Sequence, residues 1–270
     1  MIKKASRHVF LLVVGFFLAF PFLWTIATSF KPSGEVYSLS LIPSRINIQN
    51  YLMAFELGQF GRWILNSLVV AIWTTTFTVF FGALVGYIIA KFSFPGERII
   101  FFMILATIMV PTEMKVIPWF IGASKLGITN TYLGLAFPGL ITPLSVFLMK
   151  QFMESIPDDL IDSARIDGLG EFQIFLRVAL PLNKPALSAV AIFNFVGNWN
   201  VFFWPLIITQ SNNMFTLPVG LSSFSAQAVN QFSQWGAIMA GVSISTIPVL
   251  IVYLIFQRQI IEGVALTGMK

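Results

Sequence analysis

The sequence predicts an all-α membrane protein with six transmembrane helices. Three observations carry that prediction. Hydrophobic residues make up 57% of the 270 residues and charged residues only 10%, where a water-soluble domain carries roughly a quarter charged residues. The apolar residues gather into long uncharged runs that reach the ~20 residues a helix needs to cross ~30 Å of hydrocarbon. The 16 Lys and Arg residues collect at the ends of those runs, a pattern of membrane orientation rather than of nucleic-acid binding.

The first span is residues 9–29, inside an uncharged run of 22 residues from Val9 to Phe30. Lys3, Lys4 and Arg7 precede it as in a secretory signal. The run is too long and bulky for one, and it reads as a retained span. The second span, 64–90, lies in an uncharged run of 28 residues from Trp63 to Ala90. The third, 99–121, is apolar but contains Glu113 and Lys115. The fourth, 130–150, follows the uncharged run Leu126–Met149. From Pro185 to Gln257 there is no charged residue at all, too long a stretch for one span. Its middle, Thr209 to Gln234, is rich in Ser, Asn and Gln and holds Pro218 and Gly220. The stretch therefore divides into spans at 186–208 and 236–257 around a polar loop. The chain is expected to form one membrane domain over residues 1–270.

Orientation follows from the basic residues. With the N-terminus inside, eleven Lys and Arg face the cytoplasm and five face outward or lie in the third span, so both termini are expected inside. The segment 154–185 is then the sizeable cytoplasmic loop. In it, Pro157 can start a helix whose positive end suits Asp158 and Asp159. Leu160, Ile161, Ala164 and Ile166 give an apolar stripe, and Gly168 can stop the helix in a left-handed conformation. A second short helix is expected from about Glu171, limited by Pro181 and Pro185. Such a loop can plug a groove on another protein or lie amphipathically on the lipid surface, and its residues alone leave both open.

Composition excludes several chemistries. There are no cysteines, and the one histidine, His8, lies near the N-terminus. Thiol catalysis, His-based catalytic pairs in the membrane and Cys-ligated metals are therefore not expected, and no catalytic or metal site is assigned. A stand-alone secondary transporter is expected to carry acids in several spans, whereas here only Glu113 is available. Glu113, after Pro111, can line a cavity and accept solute hydrogen bonds, or can sit with a snorkelling Lys115 near the outer interface. Asn194 and Asn198 share a helix face. With Trp199 and Asn200 they can form a solute-binding strip, or they can hydrogen-bond a neighbouring helix. Gly82, Ala83, Gly86 and Ala90 mark close helix packing. Trp24, Trp63 and Trp235 read as interfacial anchors.

The loop also carries a motif. Asp162-Ser163-Ala164, three residues, Gly168, nine residues and Val178-Ala179-Leu180-Pro181 resemble the EAA signature of ABC-importer permeases, which is Glu-Ala-Ala, three residues, Gly, nine residues and Ile-x-Leu-Pro. Asp167-Gly168 and the spacing match, while Asp162, Ser163 and Val178 replace the family's Glu, Ala and Ile. The chain is similar elsewhere to the maltose-type, oligosaccharide branch. Met109-Val110-Pro111-Thr112-Glu113, Ile117-Pro118, Leu126 through Tyr132, Trp199-Asn200, Trp204-Pro205-Leu206, Thr216 through Gly220, Gln257-Arg258, Gly263, Leu266-Thr267 with Gly268, and Lys270 carry that likeness.

The resemblance implies a type I importer permease with a cytoplasmic coupling helix, the second permease of a heterodimer. Its implied partners are another permease, two ABC ATPase subunits and an extracytoplasmic solute-binding protein, in the plasma (inner) membrane of a bacterium or archaeon. It implies ATPase coupling through Asp162, Ser163, Ala164, Asp167, Gly168, Leu180 and Pro181, with sugar or oligosaccharide as solute. Related permeases carry glycerol-phosphate compounds, and the charge-free stretch from Pro185 suits a neutral solute better than an anion. The chain lacks GxxxxGK[ST], so ATP and Mg²⁺ are expected on the partner ATPase and no cofactor on this chain.

Overall fold

A computed structural model describes residues 2–228 and 235–267. The described residues hold only helices and their connections. Among the described residues three helices are long and apolar enough to cross a membrane alone, and there are up to six spans if each of three bent pairs is one span.

The chain divides into two compact units. The first comprises the described residues of 1–64 and 216–248. It contains α1 (Ile2–Ser29), α2 (Gln49–Leu57), the start of α3 (Phe60–Lys91), α13 (Leu217–Ala228) and most of α14 (Trp235–Thr267). Along α1 the apolar side chains stand exposed, Leu12 at 74% and Phe17 at 79%, as befits a helix whose solvent is acyl chain. The core gathers at Phe60, whose ring lies 5.0 Å from Trp63 and 5.4 Å from Phe224. Trp63 is only 2% exposed, so it is a packed core residue rather than the interfacial anchor expected of it. Trp24 and Trp235 keep partly open positions, Trp24 beneath the Lys31 ammonium at 4.3 Å.

The second unit comprises the described residues of 65–215 and 249–270. It holds the rest of α3, then α4 (Glu97–Ile108), α5 (Thr112–Lys125), α6 (Tyr132–Ala136) and α7 (Pro143–Glu154). There follow α8 (Asp158–Ile166), α9 (Glu171–Ile174), α10 (Leu180–Leu182), α11 (Lys184–Asn200) and α12 (Phe203–Ile208).

The expected third span, 99–121, is two helices meeting at 105°. Pro111 disfavours helical geometry at Val110 and sits extended at ψ 140° as the residue before α5. The fourth, 130–150, is likewise two pieces at 49°, Tyr132–Gly139 and Pro143–Glu154, with Pro143 starting the second. The fifth, 186–208, breaks at Val201 and Phe202 between α11 and α12. The expected polar loop after it contains α13, while its last residues, 229–234, lie outside the described residues, as do Gly268 and Lys270 of the C-terminal motif.

Helix α3 packs closely on α7. A Cβ on Gly86 would lie 2.7 Å from the Lys150 amide nitrogen, and one on Gly82 2.7 Å from Ser145 Oγ. Only glycine permits that approach, which the small-residue stripe predicted.

Candidate functional site: the helix of the 154–185 loop and a cavity at the helix breaks

Helix α8 forms where the sequence sets its signals. Pro157 precedes it in an extended conformation, and Asp158 and Asp159 fill its first turn, where the helix dipole favours negative charge. Its end is a complete Schellman turn. Gly168 at φ +81° donates its N–H to Arg165 O at 3.0 Å, and Leu169 donates to Ala164 O at 3.1 Å. These are the two bonds that satisfy the last carbonyls of such a helix. An L-residue at Gly168 would be strained by that φ, although nothing crowds the position.

The inner face of α8 is anchored. Ile161 and Ala164 are 2% and 6% exposed. They join a cluster with Tyr87 of α3, Met149 and Met153 of α7, Ile174 of α9, Phe175, and Val190 of α11. Lys91, the last residue of α3, reaches the start of α8. Its Nζ donates to Ile156 O and to Asp158 Oδ1, each at 2.6 Å. The Lys91 side chain is 5% exposed and that of Asp158 80%. The hydrogen bond from Lys91, and then its charge, hold the Asp158 carboxyl below its usual range.

Arg165 ties α8 to α9. It gives two bonds to the Glu171 carboxylate, at 2.7 and 3.3 Å, and one to Asp162 Oδ1 at 2.7 Å. Glu171 first and Asp162 second raise the Arg165 pKa, keeping its charge. Asp162, which departs from the EAA pattern, is thus engaged within the loop. Ser163 turns its hydroxyl back to Leu160 O. The outer face presents Leu160 at 43% and Ile166 at 86% exposure, with Asp162, Ser163 and Asp167 also exposed. The loop is therefore an apolar-tipped helix whose back is packed against α3, α7 and α11.

Pro181 does not end the second helix. The chain from Glu171 widens into a π turn at Phe175–Ala179 and continues through Leu180 and Pro181 before bending by 83° at Asn183. In the π turn Leu180 donates to Phe175 O, five residues back. This wider winding relieves the clash of a proline ring with the preceding turn.

The polar residues of the spans do not converge as one strip. Asn194, Asn198 and Asn200 each donate to a carbonyl four residues back, Val190 O, Asn194 O and Val196 O, at 2.8–2.9 Å. Trp199 is 2% exposed and stacks on Phe195 with an 11° interplanar angle. Buried against its own chain, it gives no open aromatic platform, which corrects that expectation. Glu113 is exposed and is absent from the lining of the nearby cavity.

That cavity, about 530 Å³, brings Asn198 together with Lys115, Trp119 and Trp204. The sequence reading missed both tryptophans. Their signal is the set of helix breaks at 109–111, 137–143 and 201–202, the first two marked by Pro111, Pro138, Gly139 and Pro143; Thr107 and Thr112 beside the first, and residues of the other two, edge this space.

Residues 82–265 match the model of the family described as binding-protein-dependent transport system inner membrane component, and the chain belongs to that family of ABC-importer permeases. It is 36% identical to the arabinooligosaccharides transport system permease protein of Bacillus subtilis, over 100% of this chain and 96% of that one. It is 30% identical to the sn-glycerol-3-phosphate transport system permease protein of Yersinia pestis, over 95% and 94% of the two chains. Its fold is that of a chain in the crystal structure of a bacterial ABC transporter involved in the import of the acidic polysaccharide alginate. There the TM-score is 0.84 at 23% identity, covering 95% of this chain and 96% of that one.

Proposed function

We propose that this chain is the transmembrane permease subunit of an ATP-driven importer for a sugar or oligosaccharide. It forms half of the translocation path as one permease domain. The observation that carries the coupling role is α8, with an apolar tip exposed at Leu160 and Ile166 and an inner face locked to α3, α7 and α11. A force applied at that tip reaches the membrane helices without first deforming the loop.

The partners in this reading are a second permease, two ATPase subunits that hold ATP and Mg²⁺, and an external solute-binding protein. Both termini face the cytoplasm of a bacterial or archaeal cell, and Asp162, Ser163, Ala164, Asp167, Gly168, Leu180 and Pro181 form the coupling element. Alternating access follows: closure of the ATPase dimer moves the docked loops, and the helices reopen outward. The likeness to the arabinooligosaccharides permease supports a carbohydrate.

A second reading, import of a glycerol-phosphate compound, is favoured by the similarity to the glycerol-3-phosphate permease and by a cation, Lys115, beside the cavity. Co-purification of the complex with its binding protein, followed by ATPase assays over neutral oligosaccharides, uronic-acid oligosaccharides and sn-glycerol 3-phosphate, decides between them. Stimulation by saccharides is expected. Stimulation by the phosphate ester alone selects the second reading, and an ion-gradient-driven uptake that ignores ATP defeats both.

A further inference from the structure

Three helix breaks meet at one space in the second unit. Helices α4 and α5 part at Met109–Pro111, the chain between α6 and α7 unwinds before Pro143, and α11 and α12 part at Val201–Phe202. Thr107 and Thr112, which flank the first break, and residues of the second and third breaks line the cavity of about 530 Å³. Irregular backbone at membrane depth is tolerated where it is buried in protein or borders a water-filled cavity. Discontinuous helices are one way transporters build solute sites.

The side chains there suit a particular chemistry. Trp119 and Trp204 meet edge to face, with ring centroids 5.9 Å apart. The Trp204 indole N–H is already given to Gly134 O at 3.0 Å, so Trp204 is fixed in place. Trp119 stands partly open. Lys115 Nζ lies 5.6 Å from the Trp119 ring and reaches Thr107 O only at 3.5 Å. No carboxylate pairs with it among the described residues, in contrast to Lys91, Lys150 and Arg165. The Asn198 amide spends one donor on Asn194 O, which leaves its carbonyl oxygen for the cavity. An apolar ring face beside a few convergent donors and acceptors is the general form of a small-molecule site.

We infer that this cavity is a saccharide subsite on this subunit. One sugar ring lays its C–H face on Trp119, and its oxygens accept from Lys115 and pair with Asn198. The inference rests on the importer reading above and adds that this chain itself touches the solute. Lys115 also lets the subsite hold a ring bearing a carboxylate, since the ammonium meets it without a competing acid.

The absence of cysteine from the chain provides a test that does not depend on turnover. Thr112 is exposed at the first residue of α5 and lines the cavity. The complex carrying Thr112→Cys is labelled with a small maleimide in the presence and absence of arabinotriose, trehalose, diacetylchitobiose or an alginate trisaccharide. The saccharides that stimulate the wild-type ATPase are expected to slow labelling about fivefold or more. Adding Trp119→Ala or Lys115→Met abolishes the protection, while Trp119→Phe and Lys115→Arg restore most of it. Stimulation of the ATPase with undiminished labelling overturns the subsite and leaves the importer reading standing. A panel that stimulates nothing defeats the saccharide reading itself, and the subsite with it.

Discussion

At Gly168 the chain turns at φ +81°, and both Schellman bonds depend on that turn. A side chain with a Cβ in left-handed geometry costs roughly 1–2 kcal/mol, and a β-branched one more. Gly168→Val is expected to insert at wild-type levels, because nothing packs on the position, yet to lose nearly all ATP-driven uptake as α8 frays. Membrane abundance by immunoblot beside radiolabelled solute uptake checks it, and normal uptake would remove Gly168 from the coupling element. Lys91 acts at the other end of α8. Lys91→Met leaves Ile156 O without its charged donor, a loss of about 1.5–3 kcal/mol for a hydrogen bond to a charged group. It is expected to cut uptake severalfold while ATP hydrolysis continues, which the solute transported per ATP consumed measures. The pH behaviour follows from Asp158. Its folded-state pKa lies below its ordinary value, so the Lys91 tie is present above that ordinary value, about 4, and is lost only as pH falls through the lower one. Asp158→Asn should therefore reduce uptake by the same factor at pH ~8 and at pH ~6. A ratio that converges toward pH 6 would show Asp158 titrating there.

At the scale of elements, α3 against α7 is the joint most exposed to substitution. A Cβ on Gly86 would meet the Met149 carbonyl carbon at 2.9 Å as well as the Lys150 amide. Backbone cannot swing aside as a side-chain tip does. Gly86→Leu is expected to cost at least the 1–3 kcal/mol typical of overpacking, which a fluorescence melt of the detergent-solubilised protein would register as a fall of several degrees. The same joint was legible beforehand, since small residues four apart announce close approach whatever the partner. Helix α8 was equally legible: Pro157, the acidic first turn and Gly168 are local signals, and local signals decide local structure. The bends were harder to read. Pro111 and Pro143 mark where a helix restarts, but the angle between the two pieces is set by packing that no single segment contains. The widened turn before Pro181 escaped because a proline stops or tilts a helix according to what the preceding carbonyls can reach. Trp199, expected as an open platform, is walled in, and Trp204, five residues on, edges the cavity, for the same reason. Which ring is walled in and which edges a cavity depends on neighbours such as Trp119, 85 positions earlier in the chain.

At the scale of the whole molecule, the proposed orientation sets Leu39 outside and Ile166 in the cytoplasm, because the basic residues concentrate in the segments assigned to the inside. Both side chains are open, at 88% and 86% exposure, and no native cysteine competes for a thiol reagent. Single substitutions can therefore report sidedness directly. In intact right-side-out vesicles a membrane-impermeant maleimide is expected to label Leu39→Cys and to spare Ile166→Cys until the vesicles are opened. The reverse pattern would invert the topology and remove the loop from reach of any cytoplasmic ATPase. The same cysteine carries a second measurement. If the α8 tip seats in a cleft of an ATPase subunit, co-expression of that subunit should slow labelling of Ile166→Cys in opened vesicles by about tenfold. Labelling of a cysteine at Ser188, a half-buried position whose hydroxyl donates to Lys184 O and which is set back along α11, should change little. Equal slowing at both positions would indicate a general change of state rather than a docked helix. Selective slowing at Ile166 would locate the contact on a surface where this chain offers apolar side chains on a rigid, charge-flanked mount.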